Sequence, residues 1–125
     1  FIRIQKIFNS DLQKLRKNVS SFSFNDTETK EAMRLLYNYY DYLTCPHSAV
    51  GYLGLRKYMD MNKISNVNGI FISTAHCIKF KDVVENIINT SIKYPKSIND
   101  ILNKEKKSLS IENYSELKDF LLSRV

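Results

Sequence analysis

The sequence predicts an α/β fold: helices with a few short strands. Three observations predict it. Apolar residues recur at helical spacing along much of the chain. Between them lie short runs, residues 19–24 and 69–72, that alternate or are continuously apolar, as strands are. Capping and breaking residues separate the two kinds of segment. At 125 residues, 43% of them hydrophobic, the chain is long enough for one domain with a core.

Element by element, Phe1, Ile4, Ile7, Phe8, Leu12 and Leu15 have helical spacing over residues 1–17. Asn9-Ser10-Asp11 provides a break and a restart cap. Residues 19–24 alternate and read as a short strand. Asn25 can then cap a helix with Glu28 three residues on, the spacing of a capping box. Ala32, Met33, Leu35, Leu36 and Tyr39 supply its buried face, to about Tyr40. After Pro46 a helix runs from about His47 to Met59, with Val50, Leu53 and Tyr58 inward. Gly51 and Gly54 inside it each cost about 1 kcal/mol relative to Ala, which suggests close approach of a backbone or ligand.

Residues 69–72 form a continuous apolar run, expected of a strand buried on both faces. A helix follows through about Ile92, and Pro95 stops that segment. Residues 98–104 read as another short helix, 109–111 as a small strand, and 114–123 as a terminal helix. No internal repeat is present.

Net charge is +6. The basic residues are mostly Lys, scattered among Asp and Glu, and the densest run, Lys104 to Lys107, is broken by Glu105. A nucleic-acid footprint should be clustered, so a solvated basic surface is the expectation. No apolar run approaches the roughly 20 residues of a membrane-spanning helix. The two cysteines, Cys45 and Cys77, lack metal-site spacing. No metal site is expected. Without a secretory signal, a cytoplasmic location with two free thiols is the expectation. His76 precedes Cys77, but sequence neighbours are seldom oriented as base and nucleophile. The chain begins at Phe1 without Met, which points to a processed or excised piece of something longer.

Two segments carry chemical information: Cys45-Pro46-His47-Ser48-Ala49-Val50-Gly51, and the run from Gly69 to Phe80 containing Ser73-Thr74-Ala75-His76-Cys77-Ile78-Lys79-Phe80. In the second, a buried strand ends in hydroxyls and an imidazole before a helix starts. Ligands of open α/β sheets bind at such strand ends. Thr74 would sit there, either holding a ligand or simply capping the helix.

These segments resemble the threonine synthase family, fold-type II enzymes dependent on pyridoxal 5′-phosphate (PLP) with a tryptophan synthase β-like architecture. The family strings are Asp-Pro-His-Thr-Ala-Val-Gly and Ser/Ala-Thr-Ala-His-Pro-Ala-Lys-Phe. The opening Phe1-Ile2-Arg3-Ile4 and the closing run from Tyr114 to Leu121 also resemble the family, so the likeness covers the whole chain. The departures are Cys45 for Asp, which removes a helix-start carboxylate, and Cys77 for Pro, which leaves the turn less rigid.

The resemblance implies that residues 1–125 are the C-terminal segment of a threonine synthase catalytic region. The PLP-linking Lys and the phosphate-binding loop belong upstream in that family. The implied reaction converts O-phospho-L-homoserine and water to L-threonine and phosphate, and the implied partner is the remainder of the chain. Thr74 matches the family hydroxyl that meets the pyridine nitrogen of PLP. His76 and His47 match family histidines that could exchange protons or hold loops. Lys79 matches the family Lys and could attract the substrate phosphate as a point charge or meet a buried structural partner. Ser73 should face away from Thr74 and serve packing or backbone bonding. Arg34, Arg56 and the tyrosines Tyr37, Tyr39, Tyr40 and Tyr42 read as helix surface and packing.

Competing readings are a PLP-fold relative without catalysis or a small α/β interaction domain. A third, a basic nucleic-acid-binding module, is disfavoured by the scattered charge. Neither nucleic acid nor membrane is expected as a partner.

Overall fold

A computed structural model describes residues 1–124. The chain divides into two compact units, Phe1–Lys93 and the residues from Tyr94 onward.

The first unit is built from helices whose ends are specified locally. α1 spans Ile2–Ile7. The chain then turns through Asn9 and Ser10, both left-handed at φ 51° and 57°. α2 (Leu12–Asn18) starts where the Asp11 carboxylate accepts the Gln13 and Lys14 N–H groups, each at 3.0 Å. α3 (Asp26–Tyr40) opens on the expected capping box. Asn25 Oδ1 accepts from the Glu28 N–H at 3.0 Å, and Glu28 accepts from the Asn25 N–H at 2.8 Å. Two orphan donors are thereby satisfied. α4 (Pro46–Met61) has Pro in its first turn, where the missing N–H is harmless. Residues Cys77–Phe80 form a single 3₁₀ turn that leads into α5 (Lys81–Ile88). That helix ends at Ile88, ahead of left-handed Asn89, four residues before the expected end near Ile92.

The core lies where α3 packs on α4 and α5. Ala32, Met33 and Leu36 of α3 meet a layer made by Cys45, Ala49, Val84, Ile87, Cys77, Ile78 and Ile92, all buried. Burial of that apolar surface is the main favourable term. Arg34 Nε donates to the Ile87 carbonyl at 3.1 Å, satisfying one orphan acceptor at the end of α5.

The chain leaving α5 is stapled by Glu85. Its carboxylate takes the Lys81 ammonium, the Ile92 N–H at 2.6 Å and the Ser91 hydroxyl at 3.1 Å. These donors, Lys81 foremost, hold the Glu85 carboxyl below its ordinary range. A carboxylate favoured in the folded state adds stability above its unfolded pKa and loses it as pH falls through the folded value. Amide-exchange protection at Ile92 should therefore decline as pH drops below about 4. In Glu85→Gln it should be low throughout and nearly flat with pH. Unchanged protection in Glu85→Gln would remove this role.

Among the described residues there is no β-strand, which corrects the expectation of a few short strands. Residues 19–24 and 69–72 are extended, as their composition predicts, but neither finds a ladder partner. A strand is completed by inter-strand hydrogen bonds, and none joins these two segments. Residues 109–111 are likewise irregular. The buried faces are also narrower than the apolar spacing suggests. Leu35, Tyr39, Val50 and Tyr58 are exposed, while Ser48 and Ala49 are buried. The α4 glycines meet only ordinary side-chain contact. A Cβ on Gly51 would lie 3.9 Å from Phe71 Cβ, and one on Gly54 3.8 Å from Phe22 Cδ2. Gly69 is the tight position: a Cβ there would come 2.7 Å from Leu55 Cδ2.

The second unit holds α6 (Lys96–Leu102) and α7 (Tyr114–Leu122). Pro95 is the residue before α6. Asn113 Oδ1 caps α7 through the Glu116 N–H at 3.0 Å. Arg124 lies over the Phe120 ring at 4.6 Å.

Candidate functional site

The two informative segments meet at the start of α4. The run of residues 69–76 and the 3₁₀ turn that follows it lie against the start of that helix at three places. Phe71 packs edge-on to Tyr42 and Tyr52, with centroids 6.0 and 5.8 Å away. Ser48 Oγ donates to Ser73 Oγ at 2.8 Å. The His47 ring lies 5.0 Å from the Phe80 ring. Side chains alternate along an extended backbone, so Phe71 faces inward while Ile70 and Ile72 are 84% and 78% exposed. Beside this run, Phe22, Phe24, Val50, Gly51, Gly54 and Leu55 help line an open groove of about 530 Å³.

The turn after the extended run is capped by an imidazole rather than a hydroxyl. His76 Nδ1 accepts the Ile78 N–H at 3.2 Å. A neutral ring that accepts at Nδ1 carries its proton on Nε2. The capping role that residue type suggested for Thr74 thus belongs to His76. Thr74 is exposed, and its hydroxyl has no hydrogen-bond partner among the described residues. Ser73, next to it, is committed: it receives the Ser48 hydroxyl and donates to the Ala75 carbonyl at 3.4 Å. His47 and Lys79 are exposed, and Lys79 has no ion-pair partner among the described residues.

Cys45 and Cys77 are free, buried thiols. Cys77 Sγ lies 3.8 Å from His76 Nδ1, but that nitrogen already serves Ile78. Burial pushes the Cys77 thiol up, away from the thiolate a nucleophile needs. Cys45 precedes α4 without capping it, and the helix has no acidic residue in its first turn. Among the described residues no cluster of His, Cys, Asp or Glu could hold a metal ion. No helix of these residues is long and apolar enough to cross a membrane.

The family model described as "Threonine synthase, C-terminal" matches residues 48–121, which include the Ser48 contact, the 3₁₀ turn and most of α7. The chain belongs to the threonine synthase family. Threonine synthase of Buchnera aphidicola from Schizaphis graminum is 34% identical over 126 residues, covering 98% of this chain and 27% of that protein. Threonine synthase of Escherichia coli K12 is 31% identical over 96 residues, covering 77% of this chain and 21% of that protein. The crystal structure of threonine synthase from Escherichia coli superposes with a TM-score of 0.76 at 26% identity, covering 98% of this chain and 28% of that one. This chain therefore spans about a quarter of the length of the curated threonine synthases it matches. The fold is that of the corresponding part of a threonine synthase.

Ser48 received no role from sequence. Its hydroxyl is ordinary in the string, and only its complete burial, 1% exposed, singles it out.

Proposed function

We propose that this chain forms the C-terminal part of a threonine synthase that converts O-phospho-L-homoserine and water to L-threonine and phosphate. The remainder of that enzyme is its partner, PLP its cofactor, and a reducing cytoplasm its setting. The observation that carries the reading is the uncommitted Thr74 hydroxyl, which lies between Ser73, whose hydroxyl is bonded to Ser48 and to the Ala75 carbonyl, and His76, whose Nδ1 caps the following turn. A neutral hydroxyl can both donate and accept, so it suits the pyridine nitrogen of PLP without placing a full charge there. Bound PLP would supply the electron sink for carbanion character in the substrate.

The other groups have separate tasks. His76, held by its Nδ1 bond to Ile78, presents Nε2 as a proton donor or acceptor. His47, its ring tilted against that of Phe80, lines the same region. Lys79 attracts the substrate phosphate as a point charge. Exposed Ile70 and Ile72 favour burial against the remainder of the enzyme, because apolar surface of this kind marks an interaction face.

The test uses the full-length polypeptide that contains this segment. It should show the visible absorbance of bound PLP and release phosphate from O-phospho-L-homoserine. Residues 1–125 alone should release none, since the PLP-linking Lys belongs upstream in the family. A full-length protein that binds PLP yet leaves O-phospho-L-homoserine intact would overturn the proposal.

A further inference from the structure

Ser48 is a fully buried hydroxyl in the first turn of α4, and it sits in the middle of a chain of hydrogen bonds. Its Oγ lies 3.3 Å from Cys45 Sγ and donates to Ser73 Oγ at 2.8 Å. Ser73 in turn donates to the Ala75 carbonyl at 3.4 Å. With Ser48 donating to Ser73, its oxygen is left to accept the Cys45 S–H. The chain then runs in one direction: Cys45 to Ser48, Ser48 to Ser73, and Ser73 to the Ala75 carbonyl. Bonds aligned this way polarise one another, and in a buried position each partner is costly to lose.

The place where this chain ends is what gives it meaning. Ser73 and Ala75 flank Thr74, so the backbone is gripped on both sides of the one hydroxyl in the run without a partner. Ala75 also precedes His76, whose ring is fixed separately by the Ile78 N–H at 3.2 Å. A short extended run without ladder partners has few other restraints on its direction. The Ser48 bond ties it to α4, which is anchored in the core through Ala49.

We propose that Ser48 is a positioning residue, acting through Ser73 to aim the Thr74 hydroxyl. The inference rests on the reading of Thr74 as the PLP contact. It assigns Ser48 no contact with cofactor or substrate. It also explains why a buried polar side chain occupies a site where an apolar one would pack without needing a partner.

The experiment uses the full-length holoenzyme. Ser48→Ala should lower kcat about ten-fold while KM for O-phospho-L-homoserine stays within about two-fold. The absorbance maximum of bound PLP should move in the same direction as in Thr74→Val. Ser48→Thr keeps the hydroxyl and is the residue of the family string, so it should restore both spectrum and kcat. Ser73→Ala cuts the same bond from the exposed side and should reproduce Ser48→Ala. If Ser48→Ala fails to fold, Ser73→Ala alone decides.

In a Thr74→Val background, Ser48→Ala or Ser73→Ala should add nothing, because a group acting only through Thr74 has no further effect once Thr74 is gone. If the two effects multiply, or if neither variant moves the spectrum while Thr74→Val does, the positioning role is overturned and the Thr74 reading stands. If Thr74→Val itself leaves the spectrum and kcat unchanged, the Thr74 reading fails and this inference with it.

Discussion

Thr74→Val in the full-length enzyme should lower kcat roughly ten- to a hundred-fold, the equivalent of about 1.5–3 kcal/mol for a hydrogen bond in a desolvated site. Valine matches threonine in shape and keeps its β-branch, so the extended backbone should be undisturbed. The hydroxyl has no partner among the described residues, so its removal should cost little folding stability. A thermal midpoint within a degree or two of wild type should therefore accompany the loss of turnover. The absorbance of bound PLP should shift, because the hydroxyl is assigned to its ring nitrogen. Substrate affinity should change less than kcat, since the proposed contact to the substrate phosphate is Lys79 rather than Thr74. If turnover and spectrum both match wild type, the hydroxyl is not the PLP contact. If the midpoint falls steeply, Thr74 holds the fold instead.

How much of this was legible in the sequence depended on whether a feature is local. The start of α3 could be read from four residues, because Asn25 and Glu28 satisfy each other's backbone donors without help from elsewhere. The break at Asn9 to Asp11 was equally local. The extended runs 19–24 and 69–72 were recognisable by composition, but a strand needs a partner in register, and composition says nothing of where that partner is. The buried stripe of α3 is narrower than its apolar spacing predicts for a related reason. Helical spacing marks which side chains share a face, whereas Leu35 and Tyr39 lie beyond what α4 and α5 cover.

The site divided in the same way. Thr74, His76, His47 and Lys79 stood out because their strings resemble a family. The choice between ligand contact and helix cap for Thr74 turned on geometry. Ser, Thr, Asp and Asn are the favoured caps, so residue type pointed to Thr74, yet the donor of Ile78 reaches His76 Nδ1 instead. Ser48 was invisible because burial of a hydroxyl leaves no mark on its immediate neighbours in sequence.

The support beneath this site is testable at Met33. Its side chain is 1% exposed, the largest fully buried side chain of the core. It lies with Pro46 and Ile87 along one cleft, so it underpins the start of α4 as well as the α3–α5 contact. Met33→Ala removes three heavy atoms from this packing and should destabilise the enzyme by about 2–5 kcal/mol, the range for large-to-small core changes. Met33→Leu nearly conserves volume and should cost less than about 1.5 kcal/mol. Denaturant midpoints of the full-length variants measure the contrast, and equal midpoints for Ala and Leu would show that Met33 is not tightly packed. The functional consequence follows from place. Pro46 begins the helix whose first turn carries His47 and Ser48, so a cavity beneath it loosens the anchor that holds the Thr74 run. Met33→Ala should accordingly lose turnover at a lower temperature than wild type, while at low temperature, where the folded state is populated, its PLP spectrum should remain close to normal. A spectrum already displaced at low temperature would mean that core packing tunes the site directly rather than merely supporting it.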